Sequence, residues 1–190
     1  MPWASLLATA RLRPDMKAFS SVPDNAPPKP PGRATEFFAL SFGEAGRAAA
    51  TEWLAQANSS AQRRHVVAEE ASDHALATLR GHLRTAVVGL RVLIAGPEAD
   101  AYKAAAVACE AGLVQEELIV AVTNRNAKRV FCPHCRTETR TAKAIGAVAP
   151  CNGCGRQLEI YHHFSRRTAS YLGFMADAEE PRPAALGVVA

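Results

Sequence analysis

The sequence has no uninterrupted apolar run of the ~18 residues that a membrane-spanning helix needs, so no span is expected. It also lacks a basic end followed by a long apolar stretch. In "MPWASLLATARLRPDMKAF" the arginines Arg11 and Arg13 follow a weak apolar run, the reverse of a secretory leader. A flexible tail is expected there rather than a signal peptide, with a transit leader as the alternative reading. Dispersed, even-numbered cysteines are missing as well. There are five, and four of them fall between positions 132 and 154. That excludes a secreted disulfide framework and fits a reducing cytoplasm. Finally, the chain contains neither a Gly-x-Gly-x-x-Gly loop nor a Gly-x-x-x-x-Gly-Lys-Ser/Thr loop, the two glycine-rich phosphate cradles.

What is present suits one medium domain, or one domain plus a small module: 190 residues, 48% of them hydrophobic. Charge is unevenly placed. Residues 1–124 carry 12 Lys and Arg against 13 Asp and Glu, whereas residues 125–190 carry 10 against 5. Residues 1–33 end in "VPDNAPPKPPGR", whose five prolines remove backbone donors and favour an extended arm. Residues 181–190 read as a tail.

Between these ends an alternation appears. "TEFFALSF" (35–42), "RHVVAE" (64–69), "LRVLIAG" (90–96) and "EELIVAVT" (117–124) read as short strands. Helices are expected over 43–57, over 71–86 with Ser72 as cap, and over 98–113 with Gly112 as terminator. Aliphatic strands alternating with helices predict an α/β domain over 34–126, a small Rossmann-like parallel sheet. Its candidate ligand loops lie at Ser41–Glu44, Gly96–Glu98 and Thr123–Asn124. Glu98 and Asp100 sit where a phosphate would meet a helix N-terminus and would repel it, so the domain is expected to keep the shape without binding a nucleotide.

Residues 127–180 look nothing like this. Cys132-x-x-Cys135 is followed by 15 residues and then Cys151-x-x-Cys154. Two residues between sulfurs form a knuckle that turns both inward, and two knuckles make a four-cysteine metal site. Pro133 stiffens the first knuckle, and Gly153 and Gly155 are expected to supply positive φ in the second. The intervening "RTETRTAKAIGAVAP" reads as a hairpin pair and "RQLEIYHHF" as a further strand, giving a C-terminal β zinc ribbon. Four thiolates leave no open position, so Cys132, Cys135, Cys151 and Cys154 are expected to hold structural Zn2+. Iron in a rubredoxin-like site is the alternative. His134 is expected at the surface, and Cys109, in the alanine-rich helix, is expected to be a small buried residue.

"YHHFSRR" (161–167) has two readings: a polar surface edge, or a partner-binding surface of His162, His163, Phe164, Arg166 and Arg167. From Arg125 to Arg167 there are 9 basic and 2 acidic residues, which suits nucleic acid or an acidic partner protein. No recognition helix and no cluster of exposed aromatics is expected, so nucleic acid is the weaker of the two.

The stretch "CPHC…CNGCGRQLEIYHHFSRRTASYLGFMADAEE" resembles the C-terminal region of the small, DmmA-like subunits of heme-dependent dimethylamine monooxygenase. The resemblance rests on the two knuckles, "YHHFSRR" and the "YLGFMADAE" ending. The preceding "VLIAGPEADAYKAAAVACEAGLVQEEL" looks like the NAD-side lobe of ferredoxin-reductase-type proteins. The resemblance implies a multi-subunit oxygenase that converts dimethylamine to methylamine and formaldehyde with NADPH and O2. Heme would sit in a catalytic partner, and FMN and an iron–sulfur cluster in a reductase-like partner. This chain would be a non-catalytic, zinc-bearing subunit acting in assembly. A nucleic-acid-binding zinc ribbon and a rubredoxin-like electron carrier are the other readings.

Overall fold

The computed structural model describes residues 34–178, so the expected arm (1–33) and tail (181–190) lie outside the described residues. The first layer alternates as its sequence pattern requires: β1 (Glu36–Phe42), α1 (Gly43–Ala55), β2 (Gln62–Ala68), α2 (Asp73–Leu83), β3 (Leu90–Pro97), α3 (Glu98–Glu110) and β4 (Leu118–Asn124). All four strands are parallel, in the order β2-β1-β3-β4. That is the flavodoxin-like order of doubly wound sheets rather than the order of dinucleotide-binding halves. The continuous apolar strands β1 and β3 are central and buried on both faces. β2 is an edge and carries Arg63 and Arg64, charges that discourage pairing with a foreign strand.

The two faces are covered unequally. Phe37, Ala39, Leu93 and Ala95 meet α1 through Ala50 and Trp53, with Phe37 edge-on to Trp53 at 5.5 Å. Phe38, Leu40, Val92 and Ile94 meet Leu76, Leu79 and Leu83 of α2 and the alanines of α3. Ser72 caps α2 by accepting the Ala75 N–H, and Gly112 (φ +100) closes α3.

In an open α/β sheet, ligands bind beyond the carboxyl ends of the strands where the order reverses, here between β1 and β3. That place is filled. A Cβ on Gly46 would stand 2.5 Å from the Ala95 carbonyl oxygen, and one on Gly96 would stand 2.7 Å from Phe42 Cβ. The N-terminal turn of α1 is therefore pressed onto the end of β3.

The second layer is one five-stranded sheet, β6-β5-β9-β8-β7, made of β5 (Lys128–Phe131), β6 (Glu138–Thr141), β7 (Val148–Pro150), β8 (Gln157–Ser165) and β9 (Ser170–Met175). The expected hairpin over 136–150 does not form. β6 pairs with β5 and β7 pairs with β8, so the two strands of that segment lie on opposite edges. β9 runs through the middle, antiparallel to β8 and parallel to β5.

The inner face of this sheet packs on the first layer. Val130, Leu158, Ile160, Phe164 and Tyr171 form one core with Tyr102 of α3 and with Val120 and Val122 of β4. α3 is thus covered from two sides. This explains why it is rich in alanine with no single apolar stripe: small side chains let a helix lie close to both neighbours. Cys109 was expected to be buried and is exposed instead. It lies one residue past Ala108, the last of the alanines Ala101, Ala104, Ala105 and Ala108 that face the first sheet, and so turns away from both layers.

Two carboxylates in the first turn of α3 fasten the layers. Tyr171 Oη donates to Glu98 Oε1 at 2.9 Å, and Arg125 Nε lies 3.6 Å from Glu98 Oε2. Arg140 grips Asp100 with two bonds, 3.1 and 2.9 Å, and Asp100 Oδ1 also accepts the Ala71 N–H at 3.1 Å. Glu98 is 1% exposed and Asp100 3%. Burial pushes the Glu98 carboxyl up, against the opposing pull of Tyr171, Lys128 and Arg125.

Arg140→Ala leaves the buried Asp100 with the Ala71 N–H as its one hydrogen-bond donor among the described residues; we expect a loss of about 2 kcal/mol in denaturant unfolding. Glu98→Gln keeps an acceptor for Tyr171 and removes the buried charge. A carboxyl whose folded pKa is raised stabilises below its unfolded pKa, and that contribution is lost as pH rises through the folded pKa. The Tm difference between Glu98→Gln and wild type should therefore move in favour of the variant as pH rises from about 4 toward neutrality. A difference that stays flat with pH would contradict the burial effect.

Candidate metal centre

The two knuckles fold as near copies. In the first, Arg136 N–H donates to Cys132 O at 2.8 Å, and Cys132 N–H donates to Thr137 O at 3.0 Å. In the second, Gly155 N–H donates to Cys151 O at 2.9 Å, and Cys151 N–H donates to Arg156 O at 2.8 Å. The residue after each second cysteine must take positive φ to close the turn. Gly155 does so at +72° without strain, and Arg136 occupies the matching place at +62°. Gly153 is required for a different reason from the one expected. Its φ is not positive, but a Cβ there would lie 2.3 Å from Thr137 Oγ1 and 3.0 Å from Cys135 Sγ. The two halves are also stitched together by the Asn152 N–H, which donates to the buried Thr139 Oγ1 at 3.0 Å.

These turns bring Cys132, Cys135, Cys151 and Cys154 together, with all four sulfurs within 4.8 Å of one another. Cys132 Sγ lies 3.8 Å from Cys154 Sγ, and Cys135 Sγ lies 3.5 Å from Cys151 Sγ. A disulfide would need about 2.05 Å. Four sulfurs set about 2.3 Å from a central ion define a tetrahedron with edges of about 3.8 Å. The spacing fits an ion. Among the described residues no histidine or carboxylate joins the group.

The surroundings favour the thiolate at Cys135 and Cys151 and oppose it at Cys154. The hydroxyl and then the backbone N–H of Thr137 lower the Cys135 thiol to about 6. Burial opposes ionisation of Cys151, but the N–H groups of Cys154 and Gly153 outweigh it and hold that thiol down. For Cys154 the Arg156 N–H pulls down, yet burial and the three neighbouring sulfurs push it up to about 12. Four negative sulfurs this close cannot all ionise unaided, and a cation at their centre is what permits it. The donor set fits a thiophilic metal ion held in a closed site.

The residues of "YHHFSRR" are not brought together. His162 is half-buried, with its ring 4.1 Å from that of Tyr161, and His163, Arg166 and Arg167 are exposed. Phe164 is 4% exposed, with its ring 5.0 Å from both Tyr102 and Tyr171. It is a core residue that ties the layers, so a partner could not reach it. The separation arises because β8 carries a register shift between Ile160 and Phe164, which breaks simple alternation. His134 is exposed between two ligands, as expected. Two aromatics of this sheet are exposed, Tyr161 at 43% and Phe174 at 44%.

A polar cleft of about 370 Å³ lies between the layers, lined in part by Glu70, Asp73, Lys103, Arg129, Glu138 and Arg140. Its cations are engaged: Arg140 with Asp100, Arg129 with Glu138, and Lys103 Nζ with Ala71 O at 2.8 Å. The cleft is part of the joint between layers. Sequence reasoning missed this joint. The available signal was two acids opening a helix whose other residues are almost all small or apolar.

Comparison with known families follows the same boundary. Residues 129–174 match the family described as "Dimethylamine monooxygenase subunit DmmA-like, C-terminal domain". These residues are similar to that domain. The resemblance read from the knuckles and from "YHHFSRR" is to this family. The chain is also 39% identical, over 99 residues, to the "Heme-dependent oxidative N-demethylase delta subunit" of Ectopseudomonas mendocina (strain ymp). That match covers 52% of this chain and 55% of the relative, so the chain spans about half the length of the curated relative it matches. No solved structure matches the chain. No helix among the described residues is long and apolar enough to cross a membrane.

Cys151→Ser should abolish stoichiometric metal binding and collapse the second layer. Far-UV circular dichroism should then show loss of strand signal with the helical signal kept. A variant that keeps both its metal and its sheet would refute the four-sulfur site.

Proposed function

We propose that this chain is the non-catalytic, zinc-binding subunit of a multi-subunit oxidative N-demethylase that acts on dimethylamine with NADPH and O2, releasing methylamine and formaldehyde. The observation that carries this reading is the coincidence of two findings on one segment: a closed four-sulfur cluster and a match to the DmmA-like C-terminal domain. The likeness to an oxidative N-demethylase delta subunit supports the place in an assembly.

In this reading, Cys132, Cys135, Cys151 and Cys154 hold Zn2+, which folds the C-terminal sheet into a zinc ribbon. The ion has no redox chemistry and, with four protein ligands, no position for substrate. Its contribution is folding free energy, because a knuckle pair this small cannot bury enough surface to order itself. Heme belongs to a catalytic partner, and FMN and an iron–sulfur cluster to a reductase partner. The filled crevice between β1 and β3 supports a lobe that serves as a platform and binds no nucleotide of its own. His162, His163, Arg166 and Arg167 contribute to partner binding. A reducing cytoplasm suits four free thiolates.

Elemental analysis of the purified chain tests the metal. We expect one zinc per chain, no iron and a colourless protein. Stoichiometric iron with visible absorbance would replace this reading with the rubredoxin-like electron carrier. Co-expression with the heme-carrying and reductase subunits of the same organism should yield one complex on size exclusion.

A further inference from the structure

The C-terminal sheet has two faces, and only one is spent on the first layer. On the outer face Val148 of β7 is opposite Glu159 of β8, and Glu159 is opposite Phe174 of β9. Tyr161 stands two residues along β8 from Glu159, the last position of the alternating burial pattern and the first of the register shift. Val148, Tyr161 and Phe174 are 37%, 43% and 44% exposed, on three neighbouring strands. Large apolar side chains gathered on one face mark an interaction site more often than single ones do.

Charge frames this strip. Arg156 flanks its near end, with Nη1 2.7 Å from the sulfur of Met175, the residue beside Phe174. Arg166 and Arg167 occupy the β8–β9 turn at its far end, exposed and in no ion pair among the described residues. His163 is exposed between the ends, and Glu159 is the one acid of β7, β8 and β9 among the described residues. β8 is nine residues long, so the strip runs about 30 Å, the span of an extended segment of about nine residues.

We propose that this face, centred on Tyr161 and Phe174, binds an acidic segment of a partner subunit. The aromatic or aliphatic centre of that segment would rest on the two rings, and its carboxylates would meet Arg156 at one end and Arg166 and Arg167 at the other. Aromatic and arginine side chains are the residue types that dominate binding energy at such contacts, and the charges set encounter rate and register. This inference deepens the accessory-subunit reading and rests on it. It moves the centre of the partner surface away from Phe164, which is buried, to two aromatics that are not.

The test uses the full, metal-loaded chain, titrated by calorimetry against the purified heme-carrying subunit and, separately, the reductase subunit of the same organism. Tyr161→Asp with Phe174→Asp should weaken binding to one of them about 100-fold. Arg166→Glu with Arg167→Glu should weaken it about tenfold and flatten its salt dependence. Val88→Asp, on the other layer, should change nothing. Metal content and circular dichroism verify that each variant is folded. Should wild type bind neither subunit, the accessory reading itself fails. Should wild type bind and the double aspartate variant bind equally well, that reading stands and this surface is wrong. Two further results would overturn the proposal in favour of another occupant. One is salt-sensitive binding of a labelled single-stranded oligonucleotide that the aromatic variant loses. The other is self-association of wild type that the same variant loses.

Discussion

Everything distinctive about this molecule depends on the first turn of α3. A helix N-terminus at the carboxyl end of a parallel strand carries partial positive charge, and phosphates bind there in many α/β proteins. Here Glu98 and Asp100 supply the negative charge from within the chain, and Tyr171 and Arg140 of the second layer close over them. One turn of helix has thus become a fastening point for a module. The flavodoxin-like layer keeps its topology while Gly46 and Gly96 let α1 and Phe42 fill the crevice between β1 and β3. Shape and ligand have parted company, as they often do on this fold.

Most of the first layer was legible in the sequence because its signals are local. Continuous aliphatic strands, helix caps and a terminal glycine placed every element within a few residues. The largest discrepancy at a strand is at β2, which begins at Gln62 rather than at 64, because an exposed edge strand has no continuous apolar run to mark its start. The cysteine knuckles were equally plain, since Cys-x-x-Cys fixes a turn by its spacing. Strand order was not legible, because the alternation is the same for a sheet ordered 2-1-3-4 and for the dinucleotide-binding order.

The second layer shows where local reading ends. β6 and β7 are neighbours in sequence and were read as a hairpin, yet each pairs with a strand outside the segment between them. β5 is four residues long, and β9 follows a stretch whose histidines and arginines suggested surface. The role of Phe164 was misjudged for the same reason: its burial comes from Tyr102, some sixty positions away, which no window contains. Acids at positions 98 and 100 were read correctly as hostile to phosphate. What they bind instead depends on residues 140 and 171.

The position of β9 bears on how the second layer is built. The last strand of the layer to be synthesised is the middle strand of the sheet, flanked by β5 on one side and β8 on the other. Until it emerges from the ribosome, the native strand pairs open to the layer are two separate hairpins, β5–β6 with one pair of sulfurs and β7–β8 with the other. A captured ion would then act as a hinge pin, holding the halves at the correct distance until β9 slides between them and zips the backbone hydrogen bonds shut.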